Sequence, residues 1–165
     1  MARRPSPRDP PRLTEETPCG PLAVPLDGFF QVNPEVAAGI VRQVVAWVTA
    51  DGAPGRVLDL YCGAGVLALA CARAGVRRVA GIESGRAAVA AARANAAALG
   101  CADAVFRCQS AAAAAGRAFD GFVNARTTVV ANPPRRGLEP AVAQALADSR
   151  APRLVYVACD PATLA

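Results

Sequence analysis

The sequence predicts an α/β fold, a doubly wound and mainly parallel sheet with helices on both faces. Three observations carry this expectation. Short apolar runs alternate with helical patterns from residue 57 to residue 158, as repeated β-α units do. The run Val57-Leu58-Asp59-Leu60 passes through Tyr61-Cys62-Gly63-Ala64-Gly65 into an apolar stretch of helical spacing, which reads as buried strand, tight turn and helix start. Asp59, Glu83, Asn132 and Cys159 all fall at ends of predicted strands, where open α/β sheets bind their ligands.

Taken in order, residues 1–25 are rich in proline, arginine and charge and read as a disordered tail or linker, with residues 26–165 as the folded domain. In Leu26-Asp27-Gly28-Phe29-Phe30-Gln31-Val32-Asn33, two of the chain's five phenylalanines are expected in the core, and Gln31 beside them needs a polar partner. Asn33-Pro34-Glu35 combines a cap, a proline in the first turn and an acid, a strong helix start. Val36, Ile40, Val44, Trp47 and Val48 give that helix one apolar face, and it should end near Ala50.

Strands are expected at 57–60, 79–82, 104–107, 127–131 and 154–158. Gly75 should stop the helix after the first of them. Ser84 should cap an alanine-rich helix that runs to Leu99 and stops at Gly100. Ala111–Ala115 reads as one or two helical turns, and a helix should run from about Glu139 to Asp148. Asn132-Pro133-Pro134 cannot continue a strand ladder, so the chain turns there.

Composition narrows the function classes. The 165 residues suffice for one domain with a core, which should be aliphatic and rich in small residues: 53% are apolar but only 5% aromatic. The net charge of +5 suits a polyanionic partner, although four of the arginines lie in the first twelve residues. The absence of histidine excludes a Ser/His/Asp triad, His-ligated metal and an imidazole base. The six cysteines form no C-x-x-C pair, so a zinc ribbon or iron–sulfur site is not expected; they read as reduced thiols of a cytoplasmic protein. No run is long and apolar enough for a membrane span, and the Arg- and Pro-rich start lacks the apolar core of a secretory signal.

The glycine turn admits two ligands. Gly63-Ala64-Gly65-Val66-Leu67-Ala68 satisfies the dinucleotide fingerprint, with Glu83 eighteen residues past Gly65 as a ribose-binding acid. Equally, an acid before a Gly-rich turn and a second acid for the ribose describe S-adenosylmethionine binding in a class I methyltransferase. Asp59 and the residues downstream favour this second reading. The turn Asn132-Pro133-Pro134-Arg135 resembles that of amino-group methyltransferases, but Arg135 stands where those carry a stacking aromatic. Cys159 has two readings on its own: an inert small hydrophobe, as the other cysteines are expected to be, or a thiol facing the crevice, where a helix N-terminus and Arg135 would favour its thiolate.

Five motifs taken together, FFQVNPEV, VLDLYCGAGVLALA, GIE, NPPRRGL and LVYVACDPATLA, resemble the RNA uracil-C5 methyltransferases over residues 26–165. The resemblance implies a class I methyltransferase fold, S-adenosyl-L-methionine as cofactor and a tRNA or rRNA substrate. It implies that Cys159 attacks C6 of a uracil that is flipped out or single-stranded. It further implies that Gln31, Tyr61, Gly63, Glu83 and Asn132 contact the cofactor, with Glu83 accepting from the ribose hydroxyls. The chain departs from the family pattern at Asn132, often aspartate there, at Ala158, usually serine, and at Ser110, where a polar or acidic cofactor contact is common. The family's last strands and its catalytic glutamate would lie beyond Ala165. The expected domain is therefore incomplete at its C-terminal end, and a catalytically impaired cofactor-binding fragment is the alternative reading.

Overall fold

The computed structural model describes residues 12–26, 33–117 and 121–158. A hairpin comes first, β1 (Arg12–Thr17) and β2 (Gly20–Pro25), followed by α1 (Pro34–Thr49). Strands and helices then alternate: β3 (Arg56–Leu60), α2 (Val66–Arg73), β4 (Arg78–Glu83), α3 (Arg86–Ala98), β5 (Val105–Cys108) and α4 (Ala111–Ala115). β6 (Thr127–Ala131), α5 (Pro140–Ala147) and β7 (Arg153–Tyr156) complete the described elements.

The second sheet has the order β5-β4-β3-β6-β7, and every neighbouring pair is parallel. From β3 the chain winds outward to β4 and β5, then returns to place β6 on the other side of β3. That reversal is the topological switch at which such sheets open a ligand crevice at the strands' carboxyl ends.

Alternation along each strand divides the core in two. Val57, Val79, Phe106, Val130 and Val155 point to one face and pack with Val41, Val44 and Val48 of α1, with α2, and with Val89, Ala92 and Ala96 of α3. Leu58, Leu60, Ala80, Ile82, Val129 and Ala131 point to the other, against Ala111, Ala114 and Ala115 of α4 and Val142 of α5. The sheet is thus covered on both sides, and the Ala-rich helices let it be covered closely.

Local signals explain most boundaries. The Asn33 side chain accepts from the amides of Glu35 (3.0 Å) and Val36 (3.2 Å), the cap its sequence position implies. Gly75 and Gly100 end their helices with φ of 95° and 69°.

Four expectations need correction. Residues 12–25 are not a tail: they form the β1–β2 hairpin, with Leu22 fully buried. The buried face of α1 is Val41, Val44 and Val48, whereas Val36 and Trp47 are 53% and 52% exposed, so the helix is rotated from the expected stripe. Ser84 does not cap α3: Gly85 occupies the cap position, and the Ser84 hydroxyl donates to Glu83 instead. The last strand is Arg153–Tyr156 rather than 154–158.

Gly81 of β4 is the tightest point in the sheet. A Cβ there would lie 2.6 Å from Cys62 Sγ and 2.6 Å from the Phe106 ring. Gly81→Ala should therefore lower stability by roughly 1–3 kcal/mol, through overpacking. Gly39, inside α1 with nothing within 4 Å of the same position, is the contrast, and Gly39→Ala should raise stability by about 0.5–1 kcal/mol. Urea unfolding midpoints of the two variants check both signs.

Candidate cofactor and substrate cleft

At the carboxyl ends of β3, β4 and β6 lies a cavity of about 680 Å³. Its wall begins with the turn after β3. Cys62 N–H still donates to the Ile82 carbonyl (3.0 Å), so the β3–β4 ladder runs one residue past the strand. Gly65 N–H then closes back on the Cys62 carbonyl at 2.8 Å. Gly63 and Gly65 have φ of 53° and 86°, the left-handed region that favours glycine. The two differ in what surrounds them. A Cβ on Gly65 would meet Phe106 at 3.0 Å and Ala92 at 3.2 Å, whereas at Gly63 none of the described residues comes within 4 Å. Gly65 is packed into the protein; Gly63 presents bare main chain to the cavity.

Two carboxylates hold the turn. Asp59 is fully buried, and its Oδ2 accepts from the amide of Ala68 (3.0 Å) in the first turn of α2. Burial pushes the Asp59 carboxyl up from 3.8 to about 7; the Ala68 hydrogen bond pulls it down and nearby Glu83 adds to the rise. Among the described residues its Oδ1 has no hydrogen-bond partner. Glu83, at the end of β4, accepts from Gly63 N–H through Oε2 (3.1 Å) and from Gly85 N–H through Oε1 (2.7 Å). It joins the glycine turn to the start of α3 and lines the cavity, and among the described residues Oε2 accepts only from Gly63, which leaves it acceptor capacity.

The other wall comes from the turn after β6. Asn132 N–H donates to the Leu60 carbonyl at 3.4 Å, which sets Asn132 beside the end of β3. Pro133, Pro134 and Arg135 follow along the cavity lining. Tyr61 ties the first wall to α5: its hydroxyl donates to the Glu139 carboxylate at the start of that helix. Burial first, and then this hydrogen bond, push the Tyr61 hydroxyl well above its ordinary range. Burial likewise raises the thiol of Cys62, which lines the cavity as an uncharged group.

Tyr61, Gly63, Glu83 and Asn132 therefore line one cavity. Gln31 and Cys159 lie outside the described residues, as do Phe29 and Phe30. Ser110 accepts from Ala113 N–H (3.1 Å) as the cap of α4 and does not line the cavity. Sequence reasoning missed Val24 and Pro25, which form part of the wall, and Asn95, which holds the adjacent Ala23; only the lone asparagine in an alanine helix signals it. No group of three or more metal-ligating side chains is found among the described residues, and no described helix is long and apolar enough to cross a membrane.

A doubly wound parallel sheet, with a glycine turn after its central strand and a carboxylate at the tip of the next, is the architecture of class I methyltransferases. The chain belongs to the tRNA (uracil-5-)-methyltransferase family, whose model matches residues 24–165. It is 44% identical over 140 residues to the 23S rRNA (uracil(1939)-C(5))-methyltransferase RlmD of Pseudomonas aeruginosa, covering 83% of this chain and 30% of that one. It is 35% identical over 152 residues to the 23S rRNA (uracil(747)-C(5))-methyltransferase RlmC of Vibrio vulnificus, covering 92% and 39%. Among solved structures it superimposes on the tRNA (uracil-54, C5)-methyltransferase of Pyrococcus abyssi in complex with S-adenosyl-L-homocysteine. The TM-score there is 0.76 and the identity 29%, over 93% of this chain and 36% of that one. The chain thus spans about a third of the length of the relatives it matches.

The raised Asp59 carboxyl makes stability depend on pH in a definite direction. The folded chain holds this proton up to about pH 7, whereas the unfolded chain releases it near 3.8. The folded state then binds more protons in that window, so stability falls as pH rises from about 4 to about 7 and levels off above. The group's share is on the order of 4 kcal/mol. In Asp59→Asn the share should vanish. Urea midpoints at pH 5 and pH 8 should differ less in the variant than in the unaltered protein.

Proposed function

We infer that the chain is the catalytic core of an S-adenosylmethionine-dependent RNA methyltransferase that methylates C5 of a uridine in ribosomal or transfer RNA. One observation carries the reading: Gly63, Glu83 and Asn132, from three strand ends, converge on a single cavity in a chain of this family. The residues fit the cofactor. Among the described residues nothing lies over the Gly63 main chain, and Glu83 beside it has acceptor capacity left for the ribose hydroxyls. Tyr61 and Asn132 line the same cavity, and Gln31 belongs to the set by family resemblance. S-adenosylmethionine, when bound, supplies an electrophilic methyl group.

The chain's own chemistry is the activation of the base. Uracil C5 is a poor nucleophile until a thiolate adds to C6. Cys159 is the residue assigned that role: its sulfur bonds to C6, and the electron pair of the C5–C6 double bond moves toward O4, leaving C5 electron-rich. After methylation C5 gives its proton to a base, the double bond reforms and the thiolate is expelled. What supports this placement is the register of β7. Val157 N–H donates to the Ala131 carbonyl at 2.9 Å, so the chain leaves β7 at the sheet edge where Asn132 begins the opposite wall. The target base has to leave its stack to reach such a cleft.

Two measurements check this reading. Calorimetric titration with S-adenosylhomocysteine should give 1:1 binding, and Glu83→Gln should weaken it by roughly tenfold or more, because a charged acceptor is lost. RNA carrying 5-fluorouridine provides the second. Fluorine at C5 blocks the final proton removal, so the adduct with the protein accumulates whichever base normally removes that proton. A denaturation-stable protein–RNA band should form with S-adenosylmethionine and be absent in Cys159→Ala. Equal trapping in the variant would remove Cys159 from its role, and no trapping in either would sink the uridine reading. Offering ribosomal and transfer RNA separately decides between the two substrates.

A further inference from the structure

The β1–β2 hairpin forms part of the cleft, and one buried side chain holds it there. Asn95 of α3 is only 3% exposed and lies in a helix otherwise made mostly of alanine. Its Oδ1 accepts from Ala23 N–H at 2.8 Å, and its Nδ2 donates to the Ala23 carbonyl at 2.9 Å. The same Nδ2 donates to the Ala64 carbonyl at 3.0 Å. The orientation of the amide is dictated by its partners: one N–H requires an acceptor and two carbonyls require donors.

The first two bonds copy a rung of β-ladder. Ala23 points both its N–H and its C=O away from β1, toward the free edge of the ribbon, and Asn95 satisfies both. A two-stranded ribbon is marginal by itself and its edge is a liability. The third bond reaches the residue between the two glycines of the cofactor turn. Val24, next along the ribbon, packs with Ala64 and Ala91, and Val24 and Pro25 line the cavity. Asn95 itself does not. One amide therefore ties three segments: helix, glycine turn and ribbon.

The geometry points to Asn95 as a positioning residue that couples occupancy of the glycine turn to the placement of the hairpin wall at Val24 and Pro25. This rests on the cofactor reading of the cleft. Ligand that steadies the Gly63–Gly65 turn steadies Ala64, and through Asn95 it steadies Ala23 and the wall beside it. Aspartate cannot substitute, because a carboxylate would face two carbonyl oxygens with no hydrogen to give.

Hydrogen exchange of the full chain, read by peptide with and without saturating S-adenosylhomocysteine, tests the coupling. In the unaltered protein the ligand should slow exchange in both peptides 57–69 and 20–26. In Asn95→Ala the slowing at 57–69 should persist at saturation while that at 20–26 is lost, and the ligand's Kd should rise by roughly tenfold. Asn95→Asp should behave like Asn95→Ala, although it keeps the volume. Ala23→Pro replaces the ribbon's N–H with a ring carbon facing Asn95 Oδ1, changes neither Asn95 nor Ala64, and should lose the same response at 20–26 even if the Asn95 variants fail to fold. Slowing retained at 20–26 in these variants overturns the inference while leaving the cofactor reading intact. No slowing at 57–69 in the unaltered protein overturns the cofactor reading, and the inference with it.

Discussion

A carboxylate that never reaches water organises the cleft. Asp59 leaves the middle of the sheet on β3 and takes the amide of Ala68, in the first turn of α2. That amide is one of the donors a helix start leaves without an internal partner. The residue at the cap position is Gly65, which has no side chain to offer, so the strand supplies the acceptor instead. The result is a clamp across the turn: strand and helix are joined nine residues apart, and Gly63 to Gly65 are held between them. Burying a carboxylate is costly, and its carboxyl sits near 7 rather than 3.8 for that reason. The clamp therefore works with either protonation state, since Oδ2 accepts from Ala68 in both. Glu83 completes the arrangement from outside, holding Gly63 N–H while remaining half-exposed.

The central sheet was legible in the sequence because its signals are local. Val57–Leu60 announces a buried strand by hydrophobicity, Asn33 a helix by its cap, Gly75 and Gly100 the helix ends by their left-handed backbone. Four of the six candidate site residues line one cavity, because strand-end positions in a parallel sheet are brought together by topology alone. What was not legible depends on distant partners. Residues 12–25 carry prolines and charges that read as a tail, and they form a hairpin because Leu22 is buried and Asn95, 72 residues beyond Ala23, fills the ribbon's edge. Ser84 has the chemistry of a cap, but the adjacent Glu83 carboxylate takes both the Ser84 hydroxyl and the Gly85 amide. Ionised acceptors make the stronger bond, so the local preference yields. The rotation of α1 is of the same kind: Trp47 is apolar, but the sheet takes Val41, Val44 and Val48, whose smaller side chains allow close approach.

Tyr61 shows why the cleft is one site and not two neighbouring ones. It is the sole non-glycine residue with positive φ among the described residues, at 61°. A side chain in that region costs about 1–2 kcal/mol, which a protein retains only where the surroundings impose it. The surroundings here are the turn closed by Gly65 N–H on one side and the Glu139 carboxylate on the other. Tyr61 stands at the switch between β3 and β6, the strands from which the two walls depart. Its strained backbone belongs to the glycine-turn wall, and its hydroxyl is held by Glu139 at the start of α5, the helix that follows the Asn132–Arg135 turn. The strained residue lines the cavity together with Gly63 and Asn132, so whatever binds above Gly63 and whatever approaches Asn132 share it as a boundary.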